Sequence, residues 1–320
     1  MKLLFLLSCE HPDLPWRELE CVGTVTDRRT QVAVAECPDP AGTVRLAFTH
    51  LVMEYLGECG PHINDVRKML AGLSIATPLP FSGRAKKIAW SALKASVGEL
   101  ERLIGTCIEG PVSLSEPEEE FRLICADDTC YFGRVILRID RGAYDERRPG
   151  GRPFFHPGVM MPRVARALVN LALVRPGGIL FDPFCGTGGI MIEGEMVGAQ
   201  PVGMDMDRFM IRGCRKNIRT SDLALGDAAH LPLRDGSADA VVTDLPYGQS
   251  VSIRAETIED LYDRALAEMS RVLRPGRRAV VVTHRDISGI AGRHFAVLQN
   301  HGQRVHKSLT RRILVLERLS

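Results

Sequence analysis

Between Pro162 and Thr283 helix-period segments alternate with short apolar, β-branched runs, and no other feature constrains the fold of this chain as strongly. A helix is expected from Pro162 to Leu173. Strands are expected at Ile179 to Asp182, Val202 to Asp205, Asp222 to Leu225, Ala240 to Thr243 and Arg278 to Thr283, with further helices from about Ile190, after Asp205 and around Ile258 to Leu273. Strands separated by helices join through right-handed crossovers, so this half should be an α/β, doubly wound, mostly parallel sheet. Such sheets bind ligands where the carboxyl ends of the strands meet the loops.

The first of those loops reads Asp182-Pro183-Phe184-Cys185-Gly186-Thr187-Gly188-Gly189. Glycines after a strand let backbone N–H groups close on a ligand, and the helix that follows favours an anionic group at its N-terminus. Asp182, Gly186, Thr187 and Gly188 are therefore candidate cofactor contacts, the bland alternative being a strand-to-helix turn with no ligand. A dinucleotide site competes, but Met191 stands where its third glycine belongs. Two acids at the next strand ends decide between them. Asp205 can accept both hydroxyls of a ribose, and Asp227 can accept from an adenine amino group. Either alone reads more readily as a cap or turn residue. In register with the glycine loop, and followed by Asp244 at the fourth strand end, they form the set a methionine-derived sulfonium nucleoside requires. Phe184 and Met206 could border its adenine or simply pack in the core.

The stretch VVTDLPYGQS, Val241 to Ser250, ends a β-branched run on Asp244, Leu245, Pro246 and Tyr247. An exocyclic amine on a base is a poor nucleophile because its lone pair is delocalised into the ring. An Asp244 carboxylate and a Leu245 carbonyl could accept its two N–H bonds and favour a more tetrahedral nitrogen as positive charge develops. Pro246 fixes the turn. Tyr247 offers a face for a flipped base, a contact worth about 1 to 3 kcal/mol.

The glycine loop, Asp205, Asp227 and Asp244-Leu245-Pro246-Tyr247 together resemble S-adenosylmethionine-dependent amino methyltransferases. That family's motif is Asp or Asn, Pro, Pro and an aromatic, and this chain departs from it at Leu245. The resemblance implies a Rossmann-like methyltransferase domain with S-adenosyl-L-methionine as cofactor and no metal. Asp140-Arg141, Arg147-Arg148-Pro149 and Arg152-Pro153-Phe154-Phe155-His156-Pro157-Gly158 are similar to the linker and catalytic entry of the THUMP-domain tRNA guanine-10 N2-methyltransferases, of archaeal and eukaryotic type. In that family the Phe-Phe-His-Pro-Gly segment closes over the cofactor. A lid role therefore falls on Phe155, His156 and Pro157, with His156 orienting or packing rather than acting as the base.

This resemblance implies a ferredoxin-like α+β module over residues 1–55, a THUMP RNA-binding domain over 56–140, a linker over 141–155 and the methyltransferase domain over 156–320. The implied substrate is the N2 amine of a guanosine in tRNA; rRNA or DNA methylation and a catalytically silent RNA-binding protein are the alternatives. Some relatives in that family depend on a small zinc-binding activator that lengthens the catalytic sheet. The strands near Arg278 to Thr283 or Arg312 to Leu316 would be its expected edge.

Charge and cysteine usage agree with an RNA partner in a cytoplasm. The net charge of +2 hides two basic zones: residues 271–320 hold eleven Arg and Lys against two acids, and residues 60–105 hold seven against three. The second zone includes the basic turn Phe81 to Lys87. The nine cysteines form no CxxC pair and no zinc spacing, which points to reduced thiols. Short strands are expected at Leu3 to Leu7, Gln31 to Ala35 and Val44 to Phe48. Leu3 to Leu7 is too short for an export signal, and no stretch is long enough to span a membrane.

Overall fold

The computed structural model describes residues 1–247, 257–306 and 309–319, with the side chains of 305, 306 and 309 excepted. Gly248, Gln249 and Ser250 of the motif stretch lie outside the described residues. The chain forms two compact units, Met1–Asp140 and Arg141–Ser320.

The first unit contains β1 (Lys2–Leu7), α1 (Leu14–Glu18), β2 (Thr24–Arg29), β3 (Val32–Glu36), β4 (Thr49–Cys59), α2 (Ile63–Leu73), β5 (Phe81–Lys87), α3 (Val97–Cys107), β6 (Glu119–Ala126) and β7 (Thr129–Arg138). All seven strands join one sheet in the order β2-β3-β1-β4-β7-β6-β5. The apolar run Leu3 to Leu7 is an inner strand of it. Leu3, Phe5 and Leu7 pack in one core cluster and Leu4 and Leu6 in another, on opposite faces as the period of two requires. α3 starts on a capping box, with Ser96 Oγ accepting from Glu99 N at 3.3 Å and Glu99 Oε2 accepting from Ser96 N at 2.8 Å.

Two sequence expectations change here. The boundary at 55/56 falls inside β4, whose partners β1 and β7 lie on either side of it, so the sheet runs through that position. Val44 to Phe48 is not a strand: Pro40–Arg45 is a 3₁₀ turn, and β4 begins only at Thr49. The buried Glu18 carboxylate accepts from Ala47 N and Phe48 N at 2.7 and 2.9 Å, which takes those amides out of any ladder.

The second unit contains α4 (Ala143–Glu146), α5 (Pro162–Leu171), β8 (Ile179–Asp182), α6 (Gly189–Met196), β9 (Gln200–Asp205), α7 (Arg208–Asn217), β10 (Asp222–Leu225), β11 (Ala240–Asp244), α8 (Ile258–Val272), β12 (Arg278–Thr283), α9 (Ser288–Ala291), β13 (Ala296–His306) and β14 (Leu309–Glu317). The strand order is β10-β9-β8-β11-β12-β14-β13, parallel from β10 to β12 and antiparallel at β14 and β13. The chain moves outward from β8 through β9 to β10, then returns to place β11 on the other side of β8. The topological switch point therefore lies between the ends of β8 and β11, where the glycine loop and the Asp244 loop leave the sheet.

The expected activator edge is corrected by this order. β12 is flanked by β11 and β14, and β14 by β12 and β13, so neither Arg278–Thr283 nor Arg312 to Leu316 presents an open edge. The outer strands are β10 and β13. Sequence reading passed over β13 because AVLQNHGQRVH lacks a continuous apolar run.

Candidate active site

At the end of β8, Asp182 is 2% exposed, and its Oδ1 accepts from Thr243 Oγ1 at 2.7 Å and from Phe184 N at 3.2 Å. Burial pushes its carboxyl up to about 7, while those two hydrogen bonds pull the other way. Thr243 belongs to the adjacent β11, so the bond ties together the two strands at the switch point.

The glycine loop that follows needs its glycines. Gly186 (φ +50) and Gly188 (φ +82) are left-handed, and a Cβ on Gly188 would lie 2.7 Å from Cys214 Sγ. Gly188 is the N-cap of α6. The loop is held from β9: Asp205 Oδ2 accepts from Gly186 N at 2.9 Å, and Oδ1 accepts from Asp207 N at 2.9 Å. Burial raises the Asp205 carboxyl above the usual range against those hydrogen bonds. A carboxylate has roughly four acceptor positions, so each oxygen keeps capacity for one more donor. Asp227 stands two residues beyond β10, half exposed, its Oδ1 accepting from Ala229 N at 2.9 Å. Leu225 is in register with Asp205, so the two acids occupy neighbouring strand ends.

Across the switch point, Asp244 ends β11. Its Oδ1 accepts from the Tyr247 hydroxyl at 2.8 Å, and that hydroxyl in turn accepts from Arg311 Nε at 3.3 Å. Burial raises the Asp244 carboxyl to about 6, with Arg311 and the Tyr247 hydrogen bond opposing. The Leu245 side chain is core, 1% exposed, and its N–H donates to Val282 O at 2.9 Å. A proline there could not make that bond, so a stitch to β12 replaces the ring as the constraint on this turn. Pro246 is fixed by its carbonyl, which accepts from the Tyr262 hydroxyl at 2.6 Å. The Tyr247 ring lies 5.1 Å from the His284 ring at a tilt of 50°.

Phe155, His156 and Pro157 are exposed, and His156 Nδ1 meets the Pro157 carbonyl at 3.0 Å. The segment carrying them is anchored at both ends. Phe154 N donates to Asn217 Oδ1 at 2.9 Å, while Asn217 Nδ2 donates to Phe154 O and to Thr187 O in the glycine loop, at 2.8 and 2.9 Å. At the other end Arg311 Nη2 donates to Gly158 O at 3.5 Å. The segment is thus a strap from the glycine loop to the Asp244 loop.

Sequence reasoning missed Asn217, Thr243 and Arg311. Asn217 and Arg311 sit in ordinary helix and strand ends with no local signal. In the sequence Arg311 is one cation of a basic zone, yet it is 8% exposed and inside the site. Thr243 had a signal in its position, one residue before Asp244 in a strand otherwise apolar.

A doubly wound sheet with a glycine loop and two strand-end acids on one side of the switch point, and an Asp-Leu-Pro-Tyr turn on the other, defines the Rossmann-like methyltransferases. Residues 149–313 match the RMKL-like methyltransferase domain. The tRNA (guanine(10)-N2)-dimethyltransferase of Methanothermobacter thermautotrophicus is 33% identical, with both chains covered in full. The enzyme of that name from Pyrococcus abyssi is 29% identical over 92% of each chain. The chain belongs to this family of tRNA guanine-N2 methyltransferases. The crystal structure of TrmN from Thermus thermophilus shares the fold over the full length of both chains, with a TM-score of 0.53 at 19% identity.

Proposed function

We propose that this chain methylates the exocyclic N2 amine of guanosine 10 in tRNA, adding two methyl groups, with S-adenosyl-L-methionine as donor. The observation that carries the reading is the partly buried Asp244, set by Tyr247 and Arg311 directly across the switch point from the glycine loop. The names of the full-length relatives support the target position and the second methyl.

The residues present fit the donor. Gly186 and Gly188 leave the loop free of Cβ atoms where the backbone must approach a ligand, and Asp205 keeps acceptor capacity on both oxygens. Asp205 would hold the ribose hydroxyls, Asp227 the adenine amine, and the Gly186-Thr187-Gly188 turn with Asp182 the methionine end. The bound donor supplies a methyl group on a sulfonium, already activated for transfer.

The protein's task is then to position and polarise the nucleophile. Asp244 Oδ2 and the Leu245 carbonyl accept the two N–H bonds of the target amine and hold its nitrogen in line with the methyl. The Tyr247 hydroxyl occupies Oδ1, which fixes the carboxylate plane, and its ring gives the extruded base a stacking face. The amine proton becomes acidic only as charge develops and leaves to water, so His156 is not required as a base. The strap bearing Phe155, His156 and Pro157 would close over the donor.

The first unit, in which the basic stretch expected as a turn is the strand β5, serves as the tRNA-binding THUMP portion. A cytoplasmic setting suits nine cysteines that are all unbridged, and no helix among the described residues is long and apolar enough to cross a membrane. A small zinc-binding activator that extends the catalytic sheet would pair with β10 or β13. Incubating the purified chain with donor and unmodified tRNA, then analysing the nucleosides by mass spectrometry, tests the whole reading. N2,N2-dimethylguanosine at position 10 is expected, and its absence with and without an added activator would refute the assignment.

A further inference from the structure

Trp90 lies in the turn between β5 and α3, 91% exposed and with a φ of +73°. Each property is unfavourable for a tryptophan. A left-handed backbone is strained for any residue with a bulky side chain, and the largest apolar side chain gains nothing from folding if it stays in water. The turn itself is well anchored. Ser91 N donates to Ile88 O at 3.1 Å, Ile88 N to Cys125 O at 2.8 Å and Ala92 N to Asp127 O at 2.7 Å. Ile88 and Leu93, on either side, are 4% and 3% exposed. The surroundings thus hold Trp90 outward while its neighbours are buried.

Along the chain on either side of it the charge has one sign, although the backbone of Asp127 meets the turn at Ala92. Arg84, Lys86, Lys87 and Lys94 flank the turn, residues 84–94 contain no acid, and none of the four cations has an acidic partner among the described residues. Arg84 and Lys87 are steadied by backbone carbonyls instead, Arg84 Nη2 on Leu114 O at 3.2 Å and Lys87 Nζ on Ala95 O at 3.1 Å. A rigidly presented aromatic face among unpaired cations is the combination that binds single-stranded nucleic acid: the cations follow the phosphates and a base stacks on the ring.

We propose that Trp90 is a stacking platform for an unpaired base of the RNA substrate, with Arg84, Lys86, Lys87 and Lys94 holding the adjoining phosphates. This deepens the tRNA reading of the first unit and rests on it. A protein partner would be recognised by apolar burial around the ring. Here the ring's neighbours in the turn are alanine, serine and lysine, which favours a polyanion carrying π faces.

The chain has two tryptophans, and Trp16 is packed beneath Arg28, 5.4 Å from the guanidinium carbon to the ring centroid. Trp16→Phe therefore leaves Trp90 as the sole indole reporter. Titration of that variant with tRNA, or with a single-stranded oligoribonucleotide, is expected to quench its fluorescence saturably, while a blunt RNA duplex should not. Trp90→Gly should weaken tRNA binding roughly tenfold or more, leave the slope of log affinity against log salt unchanged, and raise Tm because glycine accepts the positive φ. Trp90→Phe should retain most of the affinity. Undiminished tRNA binding by Trp90→Gly, or equal quenching by the blunt duplex, would overturn the proposal. Failure of the wild-type chain to bind tRNA at all would instead remove the RNA reading on which it stands.

Discussion

The Tyr247 hydroxyl donates to Asp244 Oδ1 at 2.8 Å, so two side chains of one four-residue turn are locked together before any substrate arrives. Arg311, from β14, donates to the same hydroxyl at 3.3 Å and lowers the acid's pKa against the effect of burial. One carboxylate oxygen is thereby committed to geometry, and the other would take the amine in the mechanism proposed above.

Replacing the acid should separate chemistry from cofactor affinity. Asp244→Ala is expected to lower single-turnover methyl transfer on the order of a hundredfold or more, the loss typical when one preorganised charge-stabilising group is removed. Calorimetric binding of S-adenosylhomocysteine should stay near wild type. Asp244→Asn should be milder, since its amide oxygen still accepts one N–H bond. Wild-type transfer rates in the alanine variant would sink the mechanism.

The raised carboxyl at Asp244 sets a pH dependence with a definite sign. In the proposed mechanism the charged form accepts the amine, so transfer should climb as pH rises through about 6 and flatten above it. Tyr247→Phe removes a hydrogen bond that lowers this value, so its acid limb should move to higher pH, and Arg311→Met should move it further. Stability runs the opposite way. The folded state binds the Asp244 proton more tightly than the unfolded chain, so this residue costs stability as pH rises from about 4 to about 6. Asp244→Asn should therefore raise unfolding stability at pH 8 by on the order of 2 kcal/mol and give little gain at pH 4, as chemical denaturation at the two pH values would measure.

The cofactor side should respond in affinity rather than in chemistry. Asp205→Ala and Asp227→Ala are expected to raise the dissociation constant of S-adenosylhomocysteine by about tenfold or more. Gly188→Ala combines a left-handed backbone with a Cβ 2.7 Å from Cys214 Sγ. It should lower stability by about 1 to 3 kcal/mol and weaken the nucleoside as well. Unchanged affinity in all three variants would place the cofactor elsewhere.

Asn217 offers a test of the strap. Asn217→Ala removes the bonds that tie Phe154 to Thr187, so it should raise KM for the donor about tenfold while leaving the thermal midpoint within a few degrees. Limited proteolysis should then cut within residues 154–158 faster than in wild type. Equal protection in both proteins would mean that the strap is held by other contacts.

The sequence determined the class of fold and the kind of site because both rest on local chemistry. Periodicity marked the strands from Ile179 to Thr283, and each strand end carried its own signal: glycines that only a tight turn needs, an acid at Asp205, another at Asp227, and Asp244 before a proline and an aromatic. What joins distant segments was not legible. Nothing near Glu18 announces that its carboxylate holds the amides of Ala47 and Phe48 out of a strand. The edge strands of the second sheet follow from the return of β13 and β14, which turned two expected edges into inner strands. Asn217 and Arg311 become part of the site only because α7 and β14 bring them to the ends of the strap. Local patterns fix which backbone conformations are affordable at each position; which side chains meet across dozens or hundreds of residues is decided by how the completed sheet packs its helices and orders its strands.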